Sequence, residues 1–130
     1  MRLLLDTHIF LWYISGALQL PAVFREAIRS ADNQAYLSVA SIWEAVIKHS
    51  LGKLPLPAPP AEYLPRQRSR HQIESLPVDE GALVRLAGLP PLHRDPFDRI
   101  LIAQALEYDL VVVTTDKAVR AYPVRLLPPV

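Results

Sequence analysis

The chain contains no cysteine. Disulfides, zinc–thiolate sites and cysteine nucleophiles are therefore excluded. A cytoplasmic location is the default expectation for such a chain. No apolar run reaches the ~18–20 residues that a membrane-spanning helix needs, and the leading Met1-Arg2-Leu3-Leu4-Leu5 meets an acid at Asp6. That run is too short for the core of a signal peptide, so no membrane association is expected. Glycine is scarce at four residues, and the formal net charge is only +1.

What is present is a globular composition. Hydrophobic residues make up 51% and charged residues 21% of 130 positions, enough for one hydrophobic core and one domain over residues 1–130. Continuous apolar runs at 2–5 and 110–114 read as buried strands, the second rich in valine. Further strands are expected at 35–38 and 125–127. Helical spacing covers roughly 8–15, 21–31, 39–51, 79–88 and 96–108. This alternation points to an α/β fold with a mainly parallel sheet. Ser38 suits the cap of the 39–51 helix and Gly52 its end. Asp95 suits the cap of the 96–108 helix, with Pro96 in its first turn. Prolines are abundant, thirteen in all. Five fall within 55–65, which reads as a connector and neither a strand nor a long helix.

Asp6 and Asp116 each stand just beyond a buried apolar run. If both strands are parallel, both acids lie at the carboxyl edge of the sheet, where open α/β folds bind ligands. Glu44 borders the apolar face of its helix and also stands four residues before Lys48, as a surface pair would. Asp98 follows the Asp95 cap by three residues, as in a capping box. It also shares a face with Ile102 and Ala105, which points it toward the sheet edge. If Asp6, Glu44, Asp98 and Asp116 converge, they raise one another's pKa values and call for a divalent cation. All-oxygen donors favour Mg²⁺ or Mn²⁺, whereas His8, His49, His71 and His93 show no spacing of a zinc site. With those four acids set aside as −4, the rest of the chain carries +5, which suits a polyanionic substrate. Trp43 is expected in the core, facing the sheet with Val46. Phe10, Leu11, Trp12 and Tyr13 exceed what one helix face can bury, so a protein interface is expected there. Arg66, Arg68, Arg70 and His71 form a basic run that reads as a solvated helix face, with RNA steering as the alternative.

Four motifs occur in order: Leu3-Leu4-Leu5-Asp6-Thr7-His8, Ser38-Val39-Ala40-Ser41-Ile42-Trp43-Glu44, His93-Arg94-Asp95-Pro96-Phe97-Asp98-Arg99 and Val113-Thr114-Thr115-Asp116. Together they resemble those of PIN domains, specifically the VapC-type toxins of bacterial toxin–antitoxin pairs, over nearly the whole chain. The resemblance implies a three-layer α/β/α sandwich with a central, mainly parallel sheet. It implies an endoribonuclease that uses Mg²⁺ or Mn²⁺, a cognate VapB-type antitoxin and a homodimer. It assigns the acids of catalysis and metal binding to Asp6, Glu44, Asp98 and Asp116. Supporting roles fall to Thr7, Thr115 and Asp95. Arg94 and Arg99 flank two of the acids in the sequence, which makes them candidates for phosphate contact or for balancing charge. A non-catalytic RNA- or protein-binding module and a DNA-directed nuclease are the competing readings.

Overall fold

The computed structural model describes residues 1–128. The chain runs β1 (Arg2–Leu5), α1 (Thr7–Ser15), α2 (Ala22–Arg29), β2 (Gln34–Ser38), α3 (Val39–Ser50), α4 (Pro60–Arg70), β3 (Glu74–Leu76), α5 (Glu80–Ala87), α6 (Pro96–Tyr108), β4 (Val111–Val113) and β5 (Arg125–Leu126). A 3₁₀ turn at Val119–Ala121 precedes the last strand. Among the described residues all four strand pairings are parallel, in the order β3-β2-β1-β4-β5. Among the described residues no helix is long and apolar enough to cross a membrane.

The two central strands are apolar on both faces because both faces are covered. Leu3 and Leu5 of β1, with Val111 and Val113 of β4, point into a core closed by Ile9, Phe10, Phe24 and Leu64 from α1, α2 and α4. Leu4 and Val112 point the other way, against Leu101, Ile102 and Ala105 of α6. Alternation along each strand thus feeds two cores, and each fully buried leucine contributes roughly 1.5–3 kcal/mol. Ala40, Ala82, Ile100 and Ala103 join α3, α5 and α6 in a third cluster. The expected α/β/α layering is present.

Three elements depart from the sequence reading. The proline-rich stretch is a connector only as far as Pro59. Pro60 opens α4, where its missing N–H is no loss, and the helix carries Pro65 within it. The arginine run lies on this helix. Arg66 and Arg70 are exposed, while Arg68 donates to the Ile73 carbonyl at 2.9 Å. Strand β3 is a polar edge strand of three residues, too short and too exposed to show an apolar run. Trp43 faces solvent, 62% exposed, and Val46 is half-exposed. The residues that α3 buries are Ala40, Ser41, Glu44 and Ala45. Small side chains let α3 approach the core closely, with Ile42 packed against it, while Val39, Trp43 and Ile47 are exposed.

Candidate active site

Strand order reverses about β1, with β2 and β3 on one side and β4 and β5 on the other. The crevice at the carboxyl ends of β1 and β4 is the switch point of the fold, where such sheets bind ligands. Register sets its contents. Leu5 pairs with Val113, so Asp6 and Thr114, the next residues, meet across the crevice. The Thr114 hydroxyl donates to Asp6 Oδ2 at 2.7 Å. Both side chains are buried.

Helix α3 delivers Glu44 from the neighbouring strand. Ser38 caps that helix, its hydroxyl accepting from the Ala40 amide at 3.1 Å, and Gly52 follows its end at φ +71°, a backbone that favours glycine. Glu44 is only 3% exposed. Its Oε1 accepts from the Thr7 hydroxyl at 2.8 Å, and Lys48 Nζ donates to Oε2 at 2.6 Å. The Glu44–Lys48 pair and the site reading hold together. Thr7 also shares a hydrogen bond of 2.9 Å with Ser41 Oγ.

Helix α6 delivers Asp98. Asp95 is the cap, its Oδ1 accepting from the amides of Phe97 and Asp98 at 2.8 and 3.3 Å. Asp98 does not close a capping box. It turns into the crevice, where His93 Nε2 lies 2.8 Å from its Oδ2. His93 Nε2 also stands 3.6 Å from Asp116 Oδ2. The Asp116 amide donates to Thr114 Oγ1 at 3.0 Å. Its Oδ1 accepts from the Ala118 amide at 2.9 Å.

Asp6, Glu44, Asp98 and Asp116 line one open cavity of about 340 Å³, with Asp95 and Thr115 at its wall. Burial pushes the Asp6 carboxyl up, against the pull of the Thr114 hydrogen bond. Burial also pushes Asp98 up, to about 7, helped by the negative charges of Asp6 and Asp95 and opposed by His93. Buried acids that repel one another favour a proton or a cation. Ligand atoms of His93, Asp98 and Asp116 all lie within 4.8 Å of one another. One of these atoms is an imidazole nitrogen, whereas the acids that line the cavity offer carboxylate oxygens with open space before them, which fit a Mg²⁺ or Mn²⁺ ion.

The PIN domain family model matches residues 3–124. The chain belongs to the PIN domain family. Ribonuclease VapC16 of Mycobacterium tuberculosis is 40% identical over 68 residues, 51% of this PIN domain's chain and 48% of that protein. The match therefore spans about half the length of that relative. VapBC2 of Rickettsia felis, solved bound to a DNA fragment from its promoter, has a chain that matches with a TM-score of 0.73 at 17% identity, covering 98% of each chain. FitAcB of Neisseria gonorrhoeae matches at 0.65 and 20% identity, covering 98% of this chain and 97% of that one. At these identities the two structures show a shared fold.

The four acids expected from sequence are thus brought to one cavity in this PIN domain, and Thr7 and Asp95 touch them or their helix. Thr115 lies at the rim, exposed, while the hydroxyl that bonds an acid belongs to Thr114. Arg94 is exposed. Arg99 is directed away from the acids, donating to the Pro90 carbonyl at 3.1 Å and the Tyr122 hydroxyl at 3.2 Å. His93 and His8 also line the cavity. Neither histidine has a partner at metal-ligand spacing along the chain, so local spacing does not reveal them. The signal for His93 was its place in the motif that carries Asp98.

Proposed function

We propose that this PIN domain is a Mg²⁺- or Mn²⁺-dependent endoribonuclease acting as the toxin of a type II toxin–antitoxin pair. The observation that carries this reading is the convergence of Asp6, Glu44, Asp98 and Asp116 on one open cavity at the carboxyl edge of the sheet. Asp6, Asp98 and Asp116 would hold the ion, with Glu44 nearby, its oxygens already engaged by Thr7 and Lys48. When bound, the ion supplies Lewis acidity toward a phosphoryl oxygen and lowers the pKa of an attacking water. Thr114 orients Asp6. Lys48 and His8, on the same cavity wall, offer positive charge or donors to a phosphate. The name of the VapC16 relative supports RNA as the polymer.

Two surfaces suit partners. Leu11, Trp12, Ile14, Lys48, Lys53 and Tyr63 line a groove of about 500 Å³ beside α1. His8, Trp12 and Lys48 line both this groove and the acid cavity. An apolar antitoxin segment bearing acids would fit it and reach the site. The similarity to chains of VapBC complexes supports a VapB-type partner. On the opposite side of α3, Trp43, Leu83 and Phe97 border an apolar cavity of about 510 Å³, and Val84 is exposed beside Leu83 on α5. This face is where a second copy would dock to make a homodimer.

The test is cleavage of single-stranded RNA and transfer RNA by the purified chain. Cleavage should require Mg²⁺ or Mn²⁺, stop in EDTA, and vanish in Asp6→Ala and Asp98→Ala proteins that retain their circular dichroism. Full cleavage in excess EDTA would overturn the metal mechanism. RNA binding without cleavage would favour a non-catalytic module, and cleavage of DNA alone a DNA-directed nuclease.

A further inference from the structure

The segment joining α5 to α6 has no regular structure, yet it is tied down at one atom. Tyr122 is buried, and its hydroxyl donates to the Pro90 carbonyl at 2.8 Å. The amides of Leu92 and His93 donate to the Tyr122 hydroxyl oxygen at 3.1 and 3.0 Å. Arg99 reaches it from α6 at 3.2 Å and also holds the Pro90 carbonyl. Three donors thus share the lone pairs of one phenol. Two residues beyond His93, the chain is pinned again by the Asp95 cap.

Between these anchors the His93 ring is confined. Its Nδ1 receives the Asp95 amide at 3.4 Å, so Nδ1 is the acceptor and Nε2 carries the proton. Nε2 then donates to Asp98 Oδ2, 2.8 Å away. A protonated Nε2 has no lone pair to offer a cation. One Asp98 oxygen is thereby fixed and the other is left for an ion. Carboxylates that bind metals are commonly oriented by such outer donors.

We propose that His93 is a positioning residue that orients the Asp98 carboxylate for a divalent cation, and that Tyr122 is the latch that holds His93 in place. The proposal rests on the acid cavity being a metal site. It makes the metal affinity depend on a hydroxyl next to the last strand, which touches none of the acids.

Calorimetric titration with Mn²⁺ tests it, with circular dichroism checking each fold. Wild type binds and Asp98→Asn does not. His93→Ala binds about 10- to 100-fold more weakly. His93→Gln, which keeps an N–H donor at similar reach, recovers most of the loss. Tyr122→Phe weakens binding in the same direction. The double variant of Tyr122→Phe and His93→Ala binds no worse than His93→Ala alone, because the latch acts through His93. Electron spin-echo spectra of bound Mn²⁺ show no directly coordinated imidazole nitrogen. If His93→Ala and Tyr122→Phe bind like wild type while Asp98→Asn fails, the positioning role is overturned and the metal site stands. A coordinated imidazole nitrogen overturns it in favour of direct ligation by His93. If wild type binds no Mn²⁺, the metal site itself is wrong and the proposal goes with it.

Discussion

At the amino ends of the strands, Arg125 pairs with Asp109 at 2.9 Å, and the terminal amine of Met1 donates to Asn33 Oδ1 at 2.9 Å, all in water. At the carboxyl ends, Asp6 and Glu44 are buried and Asp98 nearly so, with Lys48 and His93 as their closest basic partners. Both ends are concave. The amino-end hollow is about 470 Å³ and the acid cavity about 340 Å³. Size therefore does not separate them. Water solvates the charges of the exposed end, so they ask for nothing more. The buried end gathers like charges whose burial is costly unless something neutralises them. An unmet electrostatic requirement marks the functional end of this sheet.

The largest effect that would sharpen the contrast comes from Asp98→Asn. The amide cannot ionise, so the metal-free protein should become more stable at pH 8 while RNA cleavage falls by about 10³-fold or more. Thermal melting and an RNA cleavage assay read the two halves. A stable variant that keeps its activity would remove Asp98 from the site. The same opposition of stability and activity should hold for Asp6→Asn, since burial raises that carboxyl as well.

Next in size is the pH dependence of the metal-free fold. Asp98 titrates near 7 when folded, against 3.8 for a free carboxyl. Between those values the folded chain keeps a proton that the unfolded chain has released, so stability declines as pH rises through this window and levels off above about 7. Mn²⁺ should therefore raise the melting temperature more at pH 8 than at pH 5. A metal-free melting temperature that climbs from pH 5 to pH 7 would show that the acids ionise without penalty, and the contrast between the two ends would disappear.

Lys48→Gln probes the cation already present. Lys48 is half-exposed but its partner Glu44 is buried. Loss should cost about 1 kcal/mol, less than the roughly 3–5 kcal/mol of a fully buried pair, because solvent screens the lysine. Urea unfolding measures it, and added Mn²⁺ should return part of the loss.

Much of this arrangement was legible in the chain. Apolar runs that stop at Asp6 and before Asp116 placed two acids at one sheet edge, and parallel register then decided the rest. The same register also chose Thr114 over Thr115, a choice that depends on which residue follows Val113 into the crevice and that the sequence motif alone does not reveal. Trp43 and Glu44 show the limit more sharply. Hydrophobicity assigned the tryptophan inward, but helix packing was decided by Ala40 and Ala45, whose small size lets α3 sit close. The rotation that buries them turns Glu44 in and Trp43 out. His93 was hidden for a different reason. Its position is set by Tyr122, 29 residues away, and no local spacing encodes that contact. Helix α4 was missed because proline was read as a breaker, although its first turn tolerates one.

The smallest effect belongs to the amino end. Arg125 and Asp109 are largely exposed, at 61% and 85%. Such pairs gain little from attraction in water and lose side-chain freedom on forming. Arg125→Ala should change stability by no more than about 0.5 kcal/mol and leave RNA cleavage and Mn²⁺ binding as they were. Arg125 and Lys48 are both long cations within 3 Å of a carboxylate, and they differ chiefly in how deeply that carboxylate lies. If Arg125→Ala cost as much as Lys48→Gln in urea unfolding, burial would not be the variable that separates the two ends. If only Lys48→Gln responds, and responds less when Mn²⁺ is present, the acids at the carboxyl end are what the cation serves.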